Sequence, residues 1–326
     1  MLLDGHDAGA IAEAAARIAG GGLVAFPTET VYGLGARADD DAAVAALYAL
    51  KGRPVAHPLI VHVADRGGID RFAAEVSPFA ERLFESFWPG PMTVIVRRRP
   101  GMAEASAAGQ PTLGLRCPAD PVAHALLVAS QEAGVPGIAA PSANRFGRVS
   151  PTTARHVVDE FGAELMVLDG GASRLGIESS IVDCSGDRPV LLRPGVLTRE
   201  RIEAALGAAL AAPDAASPRA PGTLASHYAP RASVRLMPTQ MLLAAVGVLG
   251  SEPISLAVYS RSVPSGVAVG ARHRRMPARP EQAAHELFSV LRELDGEGVH
   301  LIWVEEPPPG PEWEGVRDRL SRAAAT

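Results

Sequence analysis

Apolar and polar positions follow two different periods along residues 7–206. Stretches with an apolar residue every three or four positions indicate helices, and they alternate with short runs rich in Val, Ile, Leu and Phe, which indicate strands. The helical stretches are 8–19, 40–50, 122–131 and 152–161, and the strand-like runs are 23–26, 58–63, 92–96, 112–116, 166–169, 180–183 and 189–193. This order predicts an α/β (α+β) domain, a mixed sheet with flanking helices.

Three dipeptides predict where helices begin. Each places a side-chain acceptor directly before a proline, which caps exposed amide donors and fixes φ at the first helical position. These dipeptides are Ser77-Pro78, Asp120-Pro121 and Ser150-Pro151.

A different pattern begins at about residue 211. The segment AAPDAASPRAPGTLASHYAP is rich in Pro, Ala and Ser and has no apolar period, which is typical of a linker. Beyond it, strand-like runs at 233–237, 254–260 and 299–306 alternate with helical patterns at about 239–249, 281–295 and 312–324. We therefore predict a first domain over 1–208, a linker over 209–231 and a smaller Rossmann-like α/β domain over 232–326.

Composition narrows the class of function. A net charge of -5 gives no overall attraction to nucleic acid or to acidic membranes, so any anion site must be local. Cys117 and Cys184 are far apart and suggest neither a disulfide framework nor a structural zinc site. The N-terminus carries Asp4 and Asp7 and lacks a basic start with an apolar run, so we expect a cytoplasmic protein without a signal peptide or a membrane span.

The run FPTETVYGLG at 26–35 is the first candidate for chemistry. It places hydroxyls, a carboxylate and a phenol after an apolar strand, and Lys51 and Arg53 follow one helix later. Gly52 and Pro54 stop that helix, so we expect both cations to be presented from a loop. An ammonium beside a planar guanidinium suits phosphate oxygens, although such pairs are also common as solvated surface charges.

Two further segments supply polar groups. Arg116 ends an apolar strand, where it could clamp a small carboxylate or form an ion pair with Asp120. The segment IAAPSANRFGRVSPTTA offers Ser142, Asn144 and Ser150, which together with free amides at a helix start would make a neutral nest for phosphates. The chain has no GxxxxGK[ST], GxGxxG, GxSxG or HExxH motif, so a bound nucleotide would need a different cradle.

Eight segments taken in order resemble the YrdC-like threonylcarbamoyl-AMP synthases in their long two-domain form: PTETVYGLG, KGRPxxxPLIVHV, FWPGPMTVI, GLRCP, APSAN, ESSIVD, LLRPG and SHYAP. The resemblance implies the YrdC-like fold, a twisted mixed sheet with a concave central cavity. It also implies a nucleotidyltransferase that condenses L-threonine, bicarbonate and ATP into threonylcarbamoyl-adenylate and pyrophosphate.

The same resemblance implies partners and cofactors. Mg²⁺ would arrive with ATP, and neither an organic cofactor nor a protein metal cluster is expected. The product would pass to a tRNA threonylcarbamoyl-transferase complex that modifies an adenosine beside the anticodon of tRNAs reading ANN codons. The tRNA itself is a further candidate partner.

Site residues are implied by the resemblance as well. The catalytic set on the ATP phosphates is Lys51, Arg53, Ser142 and Asn144; further ATP-binding positions are His57, Thr112, Ser150, Arg193 and Tyr228; the threonine-binding positions are Thr30, Tyr32, His62, Arg116, Ala140 and Ser180. His57 replaces the asparagine most frequent in the family, and we expect its charge to vary near neutral pH. Because Tyr228 lies in the linker, we expect the linker to act as a lid.

Two alternatives remain open at this point. An enzyme of the same fold could handle carbamoyl-adenylate, as in the YrdC-like part of hydrogenase maturation factors, but the paired CxxC motifs of those proteins are missing here. An RNA-binding module could use the arginines at 97–99 and at 272, 274 and 275. RNA recognition usually needs exposed aromatic residues, however, and aromatics make up only 5% of the chain.

Overall fold

The computed structural model describes residues 1–249, 254–264, 266 and 271–325, and the chain forms two compact units. The first unit comprises Met1–Phe146 and Ser150–Thr223, and the second comprises Gly147–Val149 and Leu224–Thr326. The division lies within the segment predicted as a linker. It also assigns three residues of the 142–153 segment to the second unit. Among the described residues, no helix has the length and apolar character needed to cross a membrane.

One mixed sheet forms the frame of the first unit. Its strands are Leu2–Asp4 (β1), Val24–Phe26 (β2), Gly33–Arg37 (β3), Ile60–His62 (β4), Ala73–Glu75 (β5), Met92–Arg98 (β6), Thr112–Arg116 (β7), Ile138–Ala139 (β8), Met166–Asp169 (β9), Ser180–Asp183 (β10) and Val190–Arg193 (β11). They lie in the order β1-β9-β2-β3-β8-β4-β7-β6-β10-β11, and β5 pairs with β6. Strand β7 runs parallel to β4 and antiparallel to β6. The predicted mixed sheet is thereby confirmed.

Helices of the first unit pack on this sheet through their apolar stripes. They are Ala8–Ala19 (α1), Asp41–Lys51 (α2), Ile69–Phe72 (α3), Pro78–Phe87 (α4), Pro121–Glu132 (α5), Ala154–Phe161 (α6) and Arg199–Leu206 (α7), with a 3₁₀ turn at Arg66–Gly68. Leu47 of α2 and Phe84 of α4 join one core with Val94 and Leu115. Helices α1 and α5 contribute to a second core, which includes β2 and β9. These cores hold the strand ends that carry the polar candidates.

Two of the three predicted helix starts are confirmed. Ser77 accepts a hydrogen bond from the amide of Ala80 (3.3 Å), and Asp120 accepts one from the amide of Val122 (2.9 Å). The predicted start at Ser150-Pro151 is wrong, because α6 begins only after Thr153, which caps it. The Ser150 side chain is fully buried and donates to Glu178 instead, at 2.5 Å.

A second apolar face of the sheet is covered by the chain after α7. Ile60, Ile95, Ile181 and Leu192 form a small cluster there with Ala220. The segment 207–223 therefore packs on the first unit as an ordered structure, and its polar contacts belong to the site described below.

The second unit contains a parallel sheet of its own. Its described strands are Ser233–Met237 (β12), Leu256–Ser260 (β13), Arg272–Arg275 (β14) and Leu301–Glu305 (β15), in the order β12-β15-β13-β14. The helices are Thr239–Gly247 (α8), Pro280–Gly296 (α9) and Glu314–Ala323 (α10), with a 3₁₀ turn at Pro311–Trp313. Parallel strands joined by helices agree with the predicted Rossmann-like α/β arrangement.

Candidate active site

Lys51 anchors the segment that carries Ser142 and Asn144. Its ammonium donates to the carbonyl oxygen of Ser142 (2.5 Å) and to that of Asn144, and its own carbonyl accepts from the amide of Phe146 (2.9 Å). The prediction that Lys51 lies on a loop is wrong. It is the last residue of α2, because Gly52, with φ of +63°, ends the helix one residue later.

In the free protein, the surroundings of Lys51 disfavour the positive charge of its amine. Burial lowers the pKa of its amine well below the ordinary value, the nearby Arg53 cation lowers it further, and only Glu160 acts in the opposite direction. An incoming phosphate would supply the missing counter-charge. Lys51 is therefore a candidate for anion binding.

Arg53 lies beside Lys51 and is also buried. Its guanidinium donates to the carbonyl oxygens of His57 (3.3 Å) and Pro58 (2.9 Å) and lies 5.7 Å from the centre of the Phe146 ring. Burial, followed by the Arg53 and Arg219 cations, lowers the pKa of His57 below its ordinary value. The change of charge that was expected near neutral pH therefore shifts in the acidic direction.

Asn144 and Ser150 lie at the two ends of the next loop. The Asn144 side-chain amide donates to the carbonyl oxygen of Arg145 (2.7 Å), and its backbone amide donates to that of Ser142 (3.0 Å). The Ser150 hydroxyl is held by Glu178, whose carboxylate is itself buried. Glu178 lies in the ESSIVD motif, but its pairing with Ser150 was not predicted, because that pairing depends on the tertiary fold.

Arg116 and Glu29 form a buried ion pair. Arg116 Nη2 lies 2.7 Å from Glu29 Oε1, and the two side chains are 5% and 3% exposed. The alternative pairing of Arg116 with Asp120 is wrong, because Asp120 caps α5. In the first unit, all of whose residues are described, the Glu29 carboxylate has no hydrogen-bond partner besides this contact. Sequence reasoning missed Glu29 as a partner, although it lies within the PTET motif.

His62 is the neighbour of Arg116 in the sheet. The two residues are register partners on β4 and β7. Burial, reinforced by the Arg116 cation, lowers the pKa of His62 to about 3, so the ring is neutral at physiological pH. Within the fully described first unit, its Nδ1 atom is buried and lacks a hydrogen-bond partner.

The Ser180 hydroxyl is a further buried polar group without a hydrogen-bond partner in the first unit. Its amide donates to the carbonyl oxygen of Pro91 (3.0 Å), and Arg116 Nε donates to that of Gly90 (3.3 Å). Residues 90–91 therefore link Ser180 to Arg116. Buried polar atoms are almost always hydrogen-bonded, so unpartnered atoms around a buried cation point to a polar ligand.

Thr30 belongs to the opening motif and is completely buried. The Thr28 hydroxyl donates to the carbonyl oxygen of Val31 (2.6 Å), so in the 2.8 Å contact between the two threonine hydroxyls Thr30 must be the donor. The lone pairs of the Thr30 oxygen remain able to accept. Tyr32 differs, because its hydroxyl donates to the carbonyl oxygen of Gly171 (2.7 Å) in the loop after β9, and burial raises its pKa.

Backbone pairing joins the two halves of the candidate site. Gly33 and Ser142 form an antiparallel bridge, and the amide of Ala143 donates to the carbonyl oxygen of Tyr32 (2.8 Å). The amide of Ala140 donates to Ile60, at 2.9 Å, on the strand that carries His62. Residues 32–34 and 140–146 therefore connect the Arg116 group to the Lys51 group through a rigid frame.

Arg193 and Thr112 mark a third region of the first unit. The Arg193 guanidinium donates to the carbonyl oxygen of Ser179 (3.1 Å), to the Ser179 hydroxyl (3.2 Å) and to the carbonyl oxygen of Pro221 (3.1 Å). Thr112 lines a narrow pocket with Arg219 and Pro221. The segment 219–221 thus covers part of the apolar sheet face.

Tyr228 lies in the second unit. It is 1% exposed and has a left-handed φ of +62°. Its ring stacks on Phe288 at 5.4 Å between centroids, and the Arg319 guanidinium lies 5.3 Å from the ring centre. A positive φ is costly for a bulky residue, so these contacts must hold Tyr228 in place.

Comparison with known proteins adds independent findings. Residues 16–195 match the family described as "Telomere recombination", which groups Sua5, YciO and YrdC proteins, and residues 197–325 match "Threonylcarbamoyl-AMP synthase, C-terminal domain". Threonylcarbamoyl-AMP synthase of Bacillus subtilis is 38% identical over 332 residues, which cover 96% of this chain and 92% of its own. The protein of that name from Pyrococcus abyssi is 36% identical, with 95% and 93% covered.

A solved structure is similar along nearly the whole chain. The crystal structure of Pyrococcus abyssi Sua5 complexed with L-threonine superposes with a TM-score of 0.87 at 34% identity. The superposition covers 98% of this chain and 95% of that one.

Proposed function

The chain belongs to the Sua5/YciO/YrdC family of threonylcarbamoyl-AMP synthases, and we propose that it is the nucleotidyltransferase that converts L-threonine, bicarbonate and ATP into threonylcarbamoyl-AMP and pyrophosphate. The observation that carries the proposal is the backbone pairing of residues 32–34 with 141–143. This pairing joins a buried arginine suited to a carboxylate to a buried lysine suited to phosphates. A reaction between an amino acid and ATP needs both groups in fixed positions.

The amino-acid side of the reaction uses the Arg116 group. In this proposal the Arg116 guanidinium binds the threonine carboxylate, while neutral His62 and the hydroxyls of Thr30 and Ser180 bind its polar atoms. The threonine nitrogen adds to the carbon of bicarbonate with loss of water, which gives a carbamate. Burial protects this carbamate, because water would decompose it.

The phosphate side uses Lys51 and Arg53. A carbamate oxygen attacks the α-phosphorus of ATP in line, the bond from that phosphorus to the bridging oxygen breaks, and pyrophosphate leaves. Lys51 and Arg53 stabilise the negative charge that develops on the phosphates. Mg²⁺ would enter as part of the substrate MgATP and would help to neutralise the charge of the phosphates.

The product needs an acceptor, since a mixed anhydride is short-lived in water. We propose that it is passed to a tRNA threonylcarbamoyl-transferase complex, which transfers the threonylcarbamoyl group to an adenosine beside the anticodon. Because the enzyme would use ATP and its product would be consumed by the complex that modifies tRNA, we propose the cytoplasm as its location. Direct binding of tRNA to this chain is a further candidate interaction.

The deciding measurement is pyrophosphate release from MgATP with each amino acid, with and without bicarbonate, together with mass detection of the adenylate product. We expect release to require both threonine and bicarbonate, and Arg116→Lys to raise the KM for threonine at least about tenfold, because a bidentate contact is lost. The exposed Arg97→Lys serves as the matched control. Release that needs neither threonine nor bicarbonate would refute the proposal, and release driven by carbamoyl phosphate would favour the carbamoyl-adenylate alternative.

A further inference from the structure

Two segments that are distant in sequence meet inside the second unit. Gly147–Val149 belongs to this unit, although the chain on both sides of it belongs to the first. The amide of Ala229 donates to the carbonyl oxygen of Gly147 (2.9 Å), and Arg148 forms a parallel bridge with Ala229. The loop between Asn144 and Ser150 is therefore paired with the SHYAP segment.

One carboxylate binds both of these segments. Asp295, near the end of α9, lies 3.1 Å from Arg231 Nε and 3.5 Å from Arg148 Nη2 through its Oδ2 atom. Its Oδ1 atom accepts from the amide of Ala232 (2.9 Å), and its backbone carbonyl accepts from Arg231 Nη2 (3.3 Å). One turn earlier on the same helix, Arg292 donates to the carbonyl oxygen of Val149.

The electrostatics make Asp295 central to this arrangement. Its side chain is only 11% exposed, and two arginines converge on one of its oxygens. Without this carboxylate, Arg148 on one segment and both Arg231 and the Ala232 amide on the other would lose the acceptor that they share. The pairing of the two segments therefore depends on this carboxylate more than on either arginine alone.

The two segments that Asp295 holds together adjoin a residue that is proposed to bind the nucleotide. Under the proposed function, on which this inference rests, Tyr228 contacts the nucleotide, and it directly precedes Ala229, whose amide donates to Gly147 within the second unit. We propose that Asp295 is a positioning residue for ATP. It serves ATP without touching it, by fixing the two backbone segments of the second unit, 147–149 and 229–232, that hold Tyr228 in place. Misplacing such groups by a fraction of an ångström weakens binding and slows in-line attack.

The test compares Asp295→Asn with Glu293→Gln, a matched loss of one negative charge from an exposed position on the same helix. We expect Asp295→Asn to raise the KM for ATP about five- to tenfold, because charge-assisted contacts at a partly buried site are lost. The KM for threonine should stay within about twofold, because none of its proposed ligands lies on these segments. Glu293→Gln should leave both constants unchanged.

A second readout separates this inference from the proposed function. Hydrogen exchange of the backbone amides at 147–149 and 228–232 should become faster in Asp295→Asn and, to a smaller degree, in Arg231→Gln, with or without substrates. Arg231 is 70% exposed, so its replacement does not threaten folding. Unchanged exchange at both segments, or equal rises in the KM values for ATP and threonine, would overturn the positioning role. Wild-type protein that shows no threonine-dependent turnover would refute the proposed function alone.

Discussion

At the scale of single residues, Lys51 couples the site to pH. Its amine is buried beside Arg53, which lowers its pKa in the free protein, and a bound phosphate would raise it again. ATP binding should therefore take up a proton at pH values between the lowered and the restored pKa. We predict that the affinity for ATP falls as pH rises towards the ordinary pKa of a lysine amine, measured by titration calorimetry in buffers of different ionisation enthalpy.

Lys51→Arg is the control for this prediction. A guanidinium keeps its proton throughout this range, so the variant should bind ATP with a flatter pH dependence and without proton uptake, whatever its absolute affinity. Proton uptake of the same size in wild type and Lys51→Arg would show that another group is responsible.

His62 makes a separate contribution to stability. Its pKa is about 3 in the folded protein and 6.5 as the ordinary value, so between these values the unfolded chain is protonated and the folded chain is not. Stability is therefore lost as pH falls through this range, because the unfolded state binds more protons. Between pH 6.5 and 4.5 the loss due to His62 should be about 2 to 3 kcal/mol, at 1.36 kcal/mol per pH unit.

Denaturant unfolding at these two pH values measures the effect. His62→Gln should lose less stability on acidification than wild type, by about the same 2 to 3 kcal/mol. The exposed His6→Gln is the matched control and should behave like wild type. Equal acid sensitivity in His62→Gln and wild type would contradict the origin of the effect.

At the scale of elements, strands and helices can be predicted from the sequence where a local pattern of residues marks them. The prediction fails where tertiary contacts determine whether a segment forms a strand or where a helix begins. The apolar runs of β2 and β9 are recognisable because both faces of these strands are largely buried. Strand β14 has the sequence RHRR and was not predicted, since an edge strand can carry charges along its length. It is a strand because its backbone pairs with that of β13, and the side-chain pattern does not indicate this pairing.

The start of α6 shows the same limit at a helix end. Ser150-Pro151 and Thr153 are both plausible caps by residue type, and only the buried Glu178 decides between them by accepting from Ser150. In the candidate site, Lys51 and Arg116 could be selected from sequence because their residue types and spacing match anion binding. The partner of Arg116 could not be selected in this way, because Glu29 and Arg116 are far apart in sequence and form their ion pair only in the folded structure.

At the scale of the whole molecule, the predicted linker consists of two parts with different contacts. Leu210 and Ala220 are buried in cores of the first unit, and Pro221 accepts a hydrogen bond from Arg193. From Leu224 onward the chain belongs to the second unit, where Tyr228 is held by Phe288. A test of the lid prediction must therefore cut between these two parts, at Thr223.

Two truncations separate the contributions of these parts. A chain ending at Thr223 keeps the contacts of 207–223, so it should retain most of the thermal stability of the first unit. It lacks Tyr228, and we predict that its turnover falls at least about tenfold because its KM for ATP is higher.

A chain ending at Leu210 also loses Ala220 and Pro221. The apolar face of Ile60 and Ile181 then meets water and Arg193 loses an acceptor, so its Tm should be lower by several degrees, as expected for about 1 to 2 kcal/mol. Turnover at the wild-type rate by the chain ending at Thr223 would rule out a lid role for Tyr228 and for the part of the predicted linker, 209–231, that lies beyond Thr223.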